Sequence, residues 1–455
     1  MQPLNAKEII TAIKGELVSG QLDTKLTGVS IDTRTIQPGD LFIALTGENS
    51  DGHKFLADAL MKDAAGVVVS KKVEARCLTI RVDDTLKALG DLAGYYRSRY
   101  DPIVIGVTGS VGKTTTREMI SAVVAAKGHV LKSEGNFNNE IGVPLTLLNL
   151  SSKHKVAVVE MAMRGKGQIE YLAKIVKPFI GVITNIHMSH IECLGSLDAI
   201  ADAKAELLDY LPADGYAVLN ADDDYFDFLK SRAKCKVVSF GENESADVRA
   251  LSCGLDSMGR SSFQVVTPRG SFAVKIQVPG EHNIKDALSA IAIGEILDIS
   301  HEHIQEVLGK FKAFEKRSNV IPSKRGFVVI DDTYNASPAS VKSAIKTLCM
   351  MEGGRKFAIL GDMLELGDHS VSSHIEIGKL VAQSNIDFLV TVGELASIIA
   401  RSAVDSGMPR SKVTEYEDSV AASKEIPAKI KEQDVILVKG SRAIKMERVV
   451  EGLIG

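Results

Sequence analysis

Between Gly106 and Thr116 the chain reads Gly-Val-Thr-Gly-Ser-Val-Gly-Lys-Thr-Thr-Thr, directly after the apolar run Ile103-Val104-Ile105. A strand followed by a glycine-rich turn and a helix start is built to cradle nucleotide phosphates. Gly109 and Gly112 let backbone N–H groups approach phosphate oxygens, and Ser110 and Thr115 belong to the same binding stretch. Lys113 supplies positive charge for the outer phosphates, and Thr114 offers its hydroxyl to Mg²⁺. The strict pattern G-x-x-x-x-G-K-[ST] fails by one residue, because position 107 is Val and the nearby glycine is Gly106. The expectation is a protein that consumes ATP or a related nucleotide.

Other chemistry-bearing residues fall where strands end. Val156-Ala157-Val158-Val159 runs into Glu160, a carboxylate placed either for Mg²⁺ shared with substrate phosphates or as a helix cap. Strand 180–184 opens onto His187, His190 and Cys193, spaced H-x-x-H-x-x-C. That spacing leaves open a zinc site, one histidine in a magnesium site, or a structural pair. Lys204, with Asp202 and Glu206 close by on a helical stretch, reads from spacing alone as a solvated lysine with helical salt bridges. Asn283 precedes a helix and suits either a base edge or an N-cap. Asp331 and Asp332 end a strand and can hold ribose hydroxyls, while Ser337-Pro338 reads as a helix start.

The elements that must position these residues alternate strand and helix. The 455 residues predict three α/β domains: 1–100, a small N-terminal unit; 101–314, a central phosphate-loop unit with a parallel sheet; and 315–455, a C-terminal Rossmann-like unit without a glycine fingerprint after its first strand. A helix is expected over 6–14, strands near 40–45 and 66–69, and a domain break at Tyr100-Asp101-Pro102. Net charge of −4 gives no basic footprint for nucleic acid, and the five cysteines lack a Cys-x-x-Cys pair, as suits a reducing cytoplasm. The first residues lack a charged region followed by an apolar stretch, and no run reaches membrane-spanning length, so neither secretion nor insertion is expected.

Taken together, these stretches resemble the Mur ligase family, whose phosphate loop has the form T-G-S-x-G-K-T-T. The likeness covers essentially the whole chain. It is carried also by Gly135-Asn136-Phe137-Asn138-Asn139-Glu140-Ile141-Gly142, by Asp331 to Pro338, and by Leu360-Gly361-Asp362-Met363-Leu364-Glu365-Leu366-Gly367. A D-N-P-R motif is absent, which favours a dipeptide-adding member over the diaminopimelate-adding one. The resemblance implies ATP-dependent joining of D-Ala-D-Ala to UDP-N-acetylmuramoyl-tripeptide through an acyl phosphate, by a cytoplasmic monomer.

The same resemblance implies residue roles. Thr114 would hold one Mg²⁺, and Glu160 with His190 a second. Lys204 would be the lysine that relatives carbamylate, which reverses the reading from spacing. Asn283 would meet adenine; three residues on, Asp286 stands where the family usually has a second asparagine. Arg317 would reach ATP from the third domain, Asp332 would hold ribose, and Asn335 would lie near the nucleotide. Ser30, Arg34 and Thr46 would belong to the uridine-diphosphate pocket, and Asn136, Asn138 and Asn139 would contact the muramoyl peptide. Ser441 and Arg442, after Lys439-Gly440, would face the incoming amine. Rival expectations are another acyl-phosphate ligase of this architecture and a phosphate-loop ATPase that drives a partner.

Overall fold

The computed structural model describes residues 1–47, 50–74, 77–189 and 191–455. Its central sheet has nine strands. Strands Ile103–Thr108, His129–Lys132, His154–Glu160, Ile180–Ile183, Tyr216–Asn220 and Lys236–Gly241 run parallel, with Ile103–Thr108 between His154–Glu160 and Ile180–Ile183. The fully parallel expectation needs one correction. Val248–Leu255 continues the parallel edge, but Arg260–Thr267 and Gly270–Pro279 fold back antiparallel. Their burial alternates residue by residue, as suits a half-exposed hairpin.

Alternation along the central strands divides the core. Val104, Ala157 and Ile183 face one cluster, while Ile105, Val107, Val158 and Val182 face the other with Ile120 and Ile291. The first cluster also contains Leu4, Ile9, Leu41 and Leu89 of the N-terminal unit. That unit has a five-stranded sheet, and its helix Thr85–Arg97 packs on the central helices Gly142–Leu147 and Gln168–Val176. The first two units are therefore joined through one apolar core.

The third unit is built on a six-stranded sheet, ordered Asn319–Pro322, Val328–Asp332, Val435–Lys439, Lys356–Gly361, Phe388–Val392, Val413–Tyr416. Its two faces bury separate clusters, neither containing a residue of the other units. Polar pairs such as Lys346–Glu281, 2.5 Å, and Arg164–Glu365, 3.5 Å, link it to the central unit.

Tyr96 bolts the N-terminal joint: its buried hydroxyl accepts from Gln2 N–H at 2.6 Å and donates to the Leu150 carbonyl at 3.0 Å. Tyr96→Phe leaves both groups without this partner. We expect a loss of about 1–3 kcal/mol of stability, read from chemical denaturation, with unchanged nucleotide affinity.

Candidate active site

A strand that ends in a buried turn must satisfy its own backbone before it can hold a ligand. Ser110 N–H donates to the Asn185 carbonyl at 2.9 Å, and Val111 N–H to Asn185 Oδ1 at 2.9 Å. Gly109 sits at φ +144°, where a Cβ would collide with Thr184, and Gly112 sits at φ +85°, where a Cβ would lie 2.5 Å from Asp286 Oδ1. Both glycines are required by conformation and by contact. The helix Lys113–Val124 starts at Gly112, with no side chain capping it, so its first N–H groups are aimed at the loop.

Lys113 Nζ donates to the carbonyls of Gly109, 2.9 Å, and Ser110, 3.2 Å. Burial pushes its pKa down, with Glu160 opposing that shift and Arg317 adding to it. Lys204 corrects the reading made from spacing. It is 2% exposed, and its Nζ donates to the same Gly109 carbonyl at 3.0 Å. The neighbouring acids have other partners: Asp202 pairs with Arg232, and Glu206 accepts the N–H groups of Gly167 and Glu170. Burial, reinforced by the positive Lys113, drives the Lys204 pKa well below that of an ordinary lysine.

Glu160 is 1% exposed, and its carboxylate caps no helix. Its Oε2 accepts from Thr114 Oγ1 and from Arg117 Nη1, both at 3.0 Å, and its Oε1 accepts from Asn138 Nδ2 at 2.8 Å. Thr114 and Glu160 thus bring a hydroxyl and a carboxylate together, hard oxygen donors of the kind Mg²⁺ takes. His190, the other expected ligand, lies outside the described residues. His187 and Cys193 are both exposed, and among the described residues no group of three or more His, Cys, Asp or Glu side chains is arranged to hold a metal.

Lys113, Thr114, Asn138 and Glu160 line one wall of a cleft of about 480 Å³ between the central and third units. Ser110, Gly112, Thr115, Asn136, Asn139, Asn283, Arg317, Asp332 and Asn335 also line it, together with Lys439. Asn283 is the second residue of helix His282–Ile296 and donates to the Pro279 carbonyl at 2.8 Å, so the N-cap reading is wrong; Glu281 is the residue that precedes the helix. The Arg317 guanidinium lies 3.9 Å from the Tyr334 ring centroid, and its Nε is buried without a hydrogen-bond partner among the described residues. Asp332 accepts from Lys439 Nζ at 2.6 Å and from Ser318 N–H at 3.1 Å, whereas Asp331 turns away to Thr333. Ser337 caps the helix Pro338–Met350 with a capping box, as its sequence indicates.

Other expected residues do not line that cleft. Ser30 bonds to the Asp32 carbonyl, Arg34 lies exposed on Asp32, and Thr46 sits 3.4 Å from Asp51. Ser441 is buried and accepts from Leu364 N–H at 2.9 Å; Arg442 pairs with Glu447 at 2.7 Å. Sequence reasoning passed over Arg117, which is fully buried and joins Glu160, Glu118 and the Gly135 carbonyl. Its signal was a cation one helical turn after Lys113, on the face that turns into the core.

A phosphate loop, buried cations and acidic residues from two units define an ATP-dependent ligase-type cleft. Family models match along the chain: the Mur ligase middle domain over residues 107–294, the Mur ligase glutamate ligase domain over 316–442, and the Mur ligase family catalytic domain over 25–97. The chain belongs to the Mur ligase family. It is 37% identical to the UDP-N-acetylmuramoyl-tripeptide–D-alanyl-D-alanine ligase of Bacillus subtilis (strain 168), over 98% of each chain. It is 34% identical to the enzyme of the same name from Escherichia coli (strain K12), covering 100% of this chain and 99% of that one. A crystal structure of MurF from Acinetobacter baumannii superposes with a TM-score of 0.92 at 32% identity, over 99% of both chains. The ADP complex of MurF ligase from Thermotoga maritima gives 0.84 at 28% identity, over 93% of this chain and 96% of that one.

Asp286 adds a titratable group against the loop. It accepts from Thr116 Oγ1 at 2.9 Å, and burial pushes its pKa up to about 7, with Thr116 and Arg317 opposing. Because the folded value exceeds the ordinary 3.8, the fold favours the protonated acid. That contribution is complete below about pH 4 and lost as pH rises to about 7. Asp286→Asn keeps the acceptor and cannot ionise. Its stability relative to the parent is expected to rise across that window by up to about 4 kcal/mol, measured by denaturant titration at several pH values.

Proposed function

We propose that this chain joins D-Ala-D-Ala to UDP-N-acetylmuramoyl-tripeptide at the expense of ATP, in the cytoplasmic synthesis of peptidoglycan precursors. The observation that carries the reading is the full-length likeness to ligases of that name, together with a cleft that gathers phosphate-loop and third-unit residues on one cavity. In this reading residues 1–100 hold the UDP-sugar, 101–314 the ATP, and 315–455 the incoming amine. The enzyme acts as a monomer.

A carboxylate acylates an amine only after its oxygen becomes a good leaving group. The tripeptide carboxylate attacks the γ-phosphorus of ATP, ADP leaves, and the D-Ala-D-Ala amine then displaces phosphate to form the amide. All the reacting groups on the first step are anionic, so cations must bring them together. Lys113 and the N–H groups of Gly112 to Thr115 would take the phosphates. Arg317, whose buried Nε has no hydrogen-bond partner among the described residues, lines the same space. Asp332 and Asn335 would take ribose and the nucleotide's flank, and Asn283 the base. Asn136, Asn138 and Asn139 would orient the muramoyl peptide, with Ser30, Arg34 and Thr46 at the uridine end and Ser441 and Arg442 on the amine side.

Mg²⁺ would be held by Thr114 at one position and by Glu160, with His190, at another, where it would neutralise phosphate charge. Burial disfavours the charged form of Lys204 and so favours the neutral amine, the form that reacts with CO₂, and its carbamate would add an anionic oxygen donor beside the phosphate loop. Substitution Lys204→Ala is expected to lower kcat by about 100-fold and to abolish any response to added bicarbonate; unchanged turnover would remove this role.

The direct assay combines ATP, Mg²⁺, UDP-N-acetylmuramoyl-tripeptide and D-Ala-D-Ala. The expected outcome is equal amounts of phosphate and a UDP-linked pentapeptide, with little phosphate when either peptide is omitted. Equal ATP cleavage without the peptides, and no lengthened product, contradicts the assignment.

A further inference from the structure

One buried imidazole outside the cleft fixes a loop that lines it. His374 is 0% exposed, in the helix Ser370–Gln383. Its Nδ1 lies 2.7 Å from the Ser370 carbonyl, which can only accept, and its Nε2 lies 3.1 Å from Met363 N–H, which can only donate. These partners define one tautomer, protonated at Nδ1, and a charged ring would lose the Met363 bond. Burial pushes the His374 pKa down, with the Ser370 bond and nearby Asp362 opposing.

The loop it holds, Asp362 to Leu366, follows the strand Lys356–Gly361, and Leu364, Glu365 and Leu366 line the cleft. Glu365 has φ +61°, a conformation that side-chain-bearing residues adopt only where the surroundings impose it. The other restraints are visible too. Asp362 Oδ1 accepts Ala396 N–H at 2.7 Å, Ser441 N–H donates to the Asp362 carbonyl at 3.0 Å, and Leu364 N–H donates to Ser441 Oγ. His374 supplies the anchor between those two ends.

We infer that His374 is a positioning residue for the amine substrate: as a hydrogen-bond acceptor for Met363 N–H it locks the Asp362–Leu366 loop against Ser441, shaping the wall that receives D-Ala-D-Ala. This rests on the assignment of that wall to the incoming amine. His374→Asn keeps a donor near the Nδ1 position and loses the acceptor. His374→Gln reaches the Nε2 position with an amide oxygen and restores it.

The test compares both variants with the parent in the ligation assay. His374→Asn is expected to raise KM for D-Ala-D-Ala about tenfold or more, with KM for ATP within about twofold, and His374→Gln to return within about threefold of the parent. Equal behaviour of the two variants, or parallel loss of ATP affinity, overturns the inference. Amide exchange in the unaltered protein gives a second readout independent of variant folding: slow exchange at Met363 and Leu364 is expected, and exchange at the rate of an open loop overturns it. A parent enzyme that rejects D-Ala-D-Ala sinks the proposed function, and this inference with it. A competent parent whose variants behave alike sinks only the role of His374.

Discussion

Two lysine side chains converge on one backbone oxygen. Lys113 and Lys204 both donate to the Gly109 carbonyl, at 2.9 and 3.0 Å. Two like charges so disposed are costly: burial pushes the pKa of both amines down, and the positive Lys113 lowers that of Lys204 further. The arrangement becomes favourable when anions arrive. Phosphate oxygens on the Lys113 side, and a carbamate in place of the Lys204 ammonium, would convert repulsion into attraction. The local structure is organised around that oxygen: Gly109 can occupy its position only without a side chain, and the loop is tied through Asn185 to the neighbouring strand end.

Around this centre the three units are joined by different physics. The N-terminal and central units share buried apolar side chains in one core. The third unit keeps its apolar clusters to itself and meets the central unit through polar pairs and the walls of a cleft. Solvent-accessible ion pairs are weak ties. Anionic ligands entering the cleft that Lys113, Arg317 and Lys439 line from its two sides would therefore contribute a large part of the closing energy. This suits an enzyme that must admit three substrates and then exclude water from a reactive acyl phosphate.

Much of the site was legible in the residues because phosphate binding depends on backbone geometry, which glycine spacing reports directly. Glu160, Asp332 and Ser337 were legible because strand ends and helix starts are local signals. Lys204 was not: spacing showed two acids beside it, but the fold gave Asp202 to Arg232 and Glu206 to backbone amides, leaving the lysine to run inward. Asn283 looked like a cap because helix starts vary by a residue, and the helix begins one position earlier. The antiparallel hairpin 260–279 was not legible because its strands are joined without an intervening helix, so the strand–helix rhythm that reports parallel pairing is absent there. Arg117 carried only the weak signal of a cation one turn after Lys113, since its partner Glu160 is distant in sequence, and His374 takes its role from a loop eleven residues earlier that spacing does not report.

The central claim is that ATP energy is captured as a mixed anhydride on the peptide acid before the amine arrives. It is tested most directly with tripeptide substrate carrying ¹⁸O in both oxygens of its terminal carboxylate. Attack by that carboxylate on the γ-phosphorus and later release of phosphate predict one ¹⁸O atom in each inorganic phosphate formed, the other staying in the new amide. Phosphate free of the label, with the departing carboxylate oxygen recovered in water, would contradict the account.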